Sequence, residues 1–200
     1  LGDSRVCKGT TGTQPTSTNL RFLIIEVWGN QTMSDKGIVI RDGYLLFWDG
    51  WPSNWEPCQF TLMGTTYNCV EQFMMAAKAR TFGDSAALEK IMASANPRDQ
   101  KQYGRAIENY DDKQWCDIRY EVVVDGTVEK YRQNPSLREK LMATEDLIFV
   151  EASPYDTVWG IGMRSSDPYA TIPSKWRGTN LLGLAITEAR AFLRSESPGP

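Results

Sequence analysis

The hydrophobic pattern is densest between Tyr67 and Asp84, YNCVEQFMMAAKARTFGD. Placed on a helix, Val70, Phe73, Met74 and Ala77 form one apolar row, with Met75 and Phe82 on an adjoining one. A helix apolar nearly all round is expected to be mostly buried. Glu71 and Lys78 interrupt this pattern. Two helical turns separate them, which puts both on one face with about 10 Å of rise between their backbones, beyond the reach of an (i, i+4) ion pair. Two readings follow. Either both side chains line a shared, mostly apolar space where their pKa values shift, or they snorkel from a core helix to its surface.

The flanking patterns predict the remaining elements. Residues 1–19 are polar and rich in Gly, Thr and Ser, as expected of a flexible tail, and SESPGP at 195–200 reads as a disordered one. Between them, 20–194 reads as a single domain. Leu20–Trp28 has the composition of a buried strand, and Asp42-Gly43 that of a hairpin turn between two short strands. A tryptophan-rich loop, WDGWPSNWEPCQF, precedes the strand-like Phe60–Met63. Helices are predicted over Ser85–Ser94 and, restarting after Asn96-Pro97, over Pro97–Asn109. A third runs over Trp115–Val124 and gives way to a turn at Asp125-Gly126. An amphipathic helix over Pro135–Thr144 buries Leu137 and Leu141. Leu147–Val150 reads as a short buried strand delivering Glu151 at its end, and Leu181–Leu193 as a closing helix. Strands early and helices late predict an α+β fold: one compact, mostly helical domain with a small antiparallel sheet near the N-terminus.

Composition narrows the chemistry. The 200 residues contain no histidine, which removes Ser-His-Asp and Cys-His catalysis and histidine metal sites. Acid–base or nucleophilic work must fall to carboxylates, lysines, tyrosines or an unassisted thiol. A net charge of −3 argues against a broad basic surface gripping a nucleic-acid backbone. The four cysteines, Cys7, Cys58, Cys69 and Cys116, lack metal-ligand spacing, and the carboxylates lack ligand-like clustering, so no metal or other cofactor is implied. Three of the cysteines fall in or beside predicted core segments, where reduced, buried thiols are expected. No stretch is long and apolar enough for a membrane span. These features suit a cytoplasmic protein, or a nuclear one in a eukaryote, with no membrane and no obligate protein partner.

Four local groups bear on function. In the tryptophan loop, Ser53, Asn54 and Trp55 read either as a turn pinned by aromatic packing or as the wall of a site for a flat base. Arg98, Lys101 and Arg105 read as a solvated basic face. Asp156 caps a turn or, with Glu151 and Trp159 around flexible glycines, walls a site. Cys69 lacks the histidine a thiol nucleophile needs.

EQFMMAAKA followed by FGD resembles the signature helix of the YbiA-like, or NADAR, family. The likeness extends in order through Ser53-Asn54-Trp55, Glu71, Lys78, Gly104-Arg105, Lys130-Tyr131, Glu151, Asp156, Trp159-Gly160 and Asn180, Gly183 and Arg190. It implies a compact, largely helical α+β fold and an N-glycosidase acting on ribosylated bases. It also implies that Ser53, Asn54, Trp55, Arg105, Glu151, Trp159, Gly160 and Asn180 contact the substrate, Arg105 as a phosphate or structural anchor. Lys130 and Tyr131 are expected to be structural, and Arg190 to be a buried partner of a carboxylate. The family holds two activities: hydrolysis of phosphorylated riboflavin-pathway intermediates and removal of ADP-ribose from guanine, free or in nucleic acid. The form of the signature helix favours the second. Glu71 and Asp156 are then the expected acid–base and charge-stabilising pair, and Lys78 a Schiff-base nucleophile toward sugar C1. A non-catalytic ADP-ribose or nucleotide-binding module is the competing expectation.

Overall fold

The computed structural model describes residues 37–196; the predicted strand at Leu20–Trp28 lies outside them. The fold is α+β. Strands β1 (Ile38–Arg41) and β2 (Tyr44–Phe47) pair antiparallel through Asp42-Gly43, which has φ of 53° and 83°, the left-handed geometry of a two-residue hairpin. The sheet is not purely antiparallel as expected. Its third strand, β5 (Ile148–Glu151), lies parallel to β2, with Phe47 opposite Glu151, giving the order β1-β2-β5. Leu45, Leu46 and Phe47 are all buried, as befits a central strand covered on both faces. The strand expected at Phe60–Met63 forms as β3 (Phe60–Leu62); its hairpin partner β4 (Thr65–Tyr67), which the pattern does not announce, follows a turn on Met63 and Gly64, both at positive φ.

Hairpin β3–β4 feeds helix α1 (Val70–Thr81), the organising element. Cys69 caps its N-terminus, its sulfur accepting from the Gln72 amide, while the Gln72 side chain accepts from the Asn68 N–H at 2.8 Å. The other end of Gln72 donates to the Ile91 and Ser94 carbonyls. It thereby holds α2 (Ser85–Ala93) against α1. Gln100 of α3 (Pro97–Arg105) donates to the same Ser94 carbonyl at 2.8 Å. Val70, Phe73, Met74 and Met75 are buried as the pattern predicts, each worth about 1.5–3 kcal/mol of burial. Helix α3 stops at Arg105, short of the predicted Asn109.

The predicted turn at Asp125-Gly126 is absent. Both residues lie inside a single helix, α4 (Asp112–Gln133). Gly126 is there for packing: a Cβ would stand 2.6 Å from Phe73 Cδ1 and 3.3 Å from Val70 Cγ1, so only glycine lets α4 rest on α1. Helix α5 (Pro135–Ala143) buries Leu141 but leaves Leu137 half-exposed. Helix α6 (Leu181–Glu196) packs on α4 and β5 and includes Ser195 and Glu196, which the sequence reading assigned to a disordered tail. Its Arg190 is buried as expected, but its partners are not carboxylates: the guanidinium donates to Thr144 Oγ1 at 2.8 Å and the Leu147 carbonyl at 2.9 Å. These acceptors lie where α5 ends and β5 begins, and a five-donor fork can serve both while Thr144 Oγ1 itself donates to the Leu141 carbonyl at 2.6 Å.

Cys58 and Cys69 are free, buried thiols. Lys130 is structural, as expected. It is 1% exposed and donates to the Ser53 carbonyl at 2.8 Å, and burial pushes its ammonium down to about 8. Among the described residues no helix is long and apolar enough to cross a membrane.

Candidate active site

A cavity of about 210 Å³ opens where α1, α3 and the start of α4 meet the loop after β5. Glu71, Lys78, Arg105, Asp156 and Trp159 all line it, so the structure brings together five residues that the sequence placed up to 88 positions apart. Glu71 and Lys78 reach the same space from positions two turns apart on α1, the first of the two readings their spacing left open.

Glu71 is 2% exposed, and its Oε1 has no hydrogen-bond partner. Burial pushes its carboxyl up to about 7; the Lys101 ammonium and a hydrogen bond from the Trp55 indole oppose that rise, and Asp156 adds to it. Glu151, at the end of β5, is pushed up to about 8, first by burial and then by Asp156 and Glu71, against the pull of Lys101. Its buried Oε2 is likewise unpaired. Both groups thus hold a proton near neutrality, as a general acid requires.

Asp156 caps a turn and also lines the cavity. Oδ1 accepts from the Val158 and Trp159 amides at 3.0 and 2.8 Å, fixing the loop. Oδ2 faces Lys101 Nζ at 3.8 Å. Gly160 supports this turn rather than touching the cavity: a Cβ there would lie 2.8 Å from the Glu151 carbonyl and 3.0 Å from that of Asp156.

Lys78 donates to the Gly104 carbonyl at 2.8 Å and lies 4.0 Å from the Tyr110 ring centroid. Burial lowers its pKa; Asp112 opposes that shift and Arg105 adds to it. A half-buried amine with a depressed pKa is closer to nucleophilic than an exposed one.

Three predicted contacts sit behind the cavity instead of in it. Ser53 accepts from the Trp55 amide through Oγ and from Lys130 through its carbonyl. The Asn54 carbonyl accepts from the Glu71 N–H at 3.0 Å, seating the start of α1. Asn180 is 2% exposed, with both ends of its amide on β5: Oδ1 accepts from Glu151 N–H at 3.0 Å and Nδ2 donates to the Phe149 carbonyl at 2.9 Å. Trp55 does not line the cavity but meets two residues that do, through its indole on Glu71 and its ring 5.9 Å from Lys101 Nζ.

The sequence reading missed Lys101 as a site residue, along with Tyr110, Trp115 and Arg119, which also line the cavity. A signal for Lys101 was present. It stands four residues before Arg105 on one helix, hence on the same face.

A sequence model described as the NADAR domain matches residues 46–194. The chain belongs to the NADAR family. A protein named N-glycosidase from Acanthamoeba polyphaga mimivirus is 36% identical over 143 residues, covering 69% of this chain and 84% of its own. A riboflavin biosynthesis protein of Vibrio vulnificus is 29% identical over 149 residues, 74% of this chain but 37% of that protein. The NMR structure of the Escherichia coli protein YbiA superposes with a TM-score of 0.64 at 24% identity, covering 80% of this chain and 92% of that one. That likeness shows the YbiA fold.

Proposed function

We propose that this NADAR protein is an N-glycosidase that cleaves a ribose C1–N bond, removing ADP-ribose from ADP-ribosylated guanine. The reading rests above all on one observation: Glu71, held up to about 7, shares a cavity with Asp156, Lys78 and the Trp159 ring. Cleaving a glycosidic C–N bond needs a proton for the departing base and negative charge beside an oxocarbenium-like carbon. Protonated Glu71 donates to the guanine nitrogen as the C1–N pair leaves with the base. Asp156, anchored by two amides, faces the positive charge that grows on C1. Trp159 stacks on the base, and Arg105 meets a phosphate.

Lys78 supplies a covalent route. Its unprotonated amine adds to C1 as the C1–N bond to guanine breaks and the base leaves with the proton from Glu71; the ring C1–O bond then opens, its oxygen taking the proton shed by the amine, and an imine results. Water then hydrolyses the imine, returning the free sugar aldehyde and the amine. The name of the Vibrio relative supports a second substrate class, a riboflavin-pathway intermediate carrying a similar C1–N bond.

The test incubates the protein with a guanine-ADP-ribosylated oligonucleotide and follows ADP-ribose and restored guanine by mass spectrometry, with Lys78→Ala alongside. The reading predicts release by the wild type and none by the variant. It further predicts a sugar adduct on Lys78 when borohydride is added during turnover. Release without any trapped adduct refutes the imine route. No release by a folded wild type, with turnover of riboflavin-pathway intermediates, moves the assignment to that substrate.

A further inference from the structure

Tyr155, on the loop that carries Asp156, and Trp48, directly after β2, form an aromatic pair that does not line the cavity. Trp48 and Tyr155 are 49% and 77% exposed, yet their rings meet with centroids 5.7 Å apart at 51°. Both are neighbours, along the chain or across the sheet, of acidic residues of the site region. Trp48 follows Phe47, the residue opposite Glu151 in the sheet, and Tyr155 immediately precedes Asp156. The backbone beneath them is pinned. The Ala152 amide donates to the Phe47 carbonyl at 2.6 Å, Ser153 Oγ accepts from the Tyr155 N–H at 3.4 Å, and Asp156 takes the two amides beyond it. Exposed Arg164 donates to the Tyr155 hydroxyl at 3.5 Å, placing a cation beside the rings.

Core packing does not account for two large rings left in solvent on a fixed backbone, and exposed apolar area of this kind marks contact surfaces. Aromatic faces beside an arginine are the equipment for stacking successive bases of a flexible strand. We propose that Trp48 and Tyr155 form a platform for the nucleobase next to the modified guanine on a single-stranded nucleic acid. The inference rests on the glycosidase reading above and names a polymer, not a free nucleotide, as its substrate.

Size and charge orient the substrate. At about 210 Å³ the cavity is smaller than the roughly 300–1,000 Å³ of pockets that enclose a drug-sized ligand, so an ADP-ribosylated nucleotide extends past its mouth. Arg105 and Arg119 lie on the helical wall, which suits the diphosphate. The wall bearing Asp156 then receives the base, and the strand carrying that base runs over Tyr155 and Trp48. With a net charge of −3 and one arginine at the platform, stacking outweighs phosphate contact. The salt dependence is accordingly shallow, a log–log slope of about −0.7 per phosphate met.

The test is fluorescence anisotropy of a labelled, unmodified single-stranded oligonucleotide with the full chain, comparing wild type, Trp48→Ala, Trp48→Phe and Tyr155→Ala, each checked by thermal melting. The platform predicts that either alanine variant weakens binding by roughly tenfold, while Trp48→Phe retains most of it. KM then rises for an ADP-ribosylated oligonucleotide but not for ADP-ribosylated guanosine monophosphate. Absence of oligonucleotide binding by the wild type, or equal binding by the alanine variants, overturns the platform. A matching KM rise on the monophosphate also overturns it and assigns the rings to the ADP-ribose half. Binding through the rings without ADP-ribose release leaves the platform standing and refutes the catalytic reading; release that ignores the rings does the reverse.

Discussion

Replacing Lys101 with methionine removes the one cation that restrains both Glu71 and Glu151 while leaving the aliphatic stem in place. Its ammonium lies 3.8 Å from Asp156 Oδ2, with side chains 32% and 22% exposed. Two charges at about 4 Å interact by about 1 kcal/mol in water and about 4 kcal/mol at an effective dielectric of 20. Partial exposure places the pair toward the lower end. If the same ammonium contributes about 1.4 kcal/mol to Glu71, its loss moves the Glu71 titration up from about 7 by about one pH unit. Carbon-13 NMR of the carboxyls reads this directly. The pH profile of kcat/KM reads it through catalysis, because a limb that falls as Glu71 deprotonates shifts upward in parallel. A salt bridge of purely structural value would lower stability and leave the limb in place. A Glu71 titration that stays put, or moves down, refutes the account of Lys101 as the residue that sets the proton inventory of the site.

Two further outcomes follow from the packing and the charges. Glu71 is held at about 7 against an ordinary 4.5, so the folded state binds more protons than the unfolded one in that interval. Its contribution is complete below about 4.5 and is lost as pH rises through about 7. Glu71→Gln is therefore expected to gain about 1–3 kcal/mol over wild type at pH 8, and little at pH 4, in urea titrations, while abolishing turnover. Gly126→Ala improves helix propensity yet drives a methyl into Phe73. A loss of about 1–3 kcal/mol in chemical denaturation is expected, and a neutral or stabilising result contradicts the close contact between α4 and α1.

The signature helix was legible because its information is local. An apolar surface nearly all round and two charges on one face require no knowledge of the rest of the chain. The Asp42-Gly43 hairpin was legible for the same reason. Asp125-Gly126 carries an identical dipeptide and was misread, because its glycine answers to Phe73 on another helix and not to its own backbone. The parallel place of β5 beside β2 depends on a partner about a hundred residues away, which periodicity cannot name. Lys101 looked like one of several solvated cations until Asp156 was brought opposite it. Asn180, expected at the ligand, serves β5 instead. At φ 54°, a backbone geometry asparagine tolerates, it turns its amide onto two strand groups.

The pairing of β2 with β5 also has a temporal consequence. Asp156 reaches the cavity, and Glu151 comes within electrostatic reach of it and of Glu71, because β5 docks on a strand made about a hundred residues earlier; β5 is itself held by Asn180, just before the last helix, and by Arg190 within it. Closing so long a loop costs a few kcal/mol of chain entropy before any contact repays it. A ribosome-bound chain that has released α1 but not α6 therefore holds Glu71 and Lys78 without the loop that faces them. Competence for the chemistry arrives late, as a single event, once the final helix closes over the strand that delivers the remaining carboxylates.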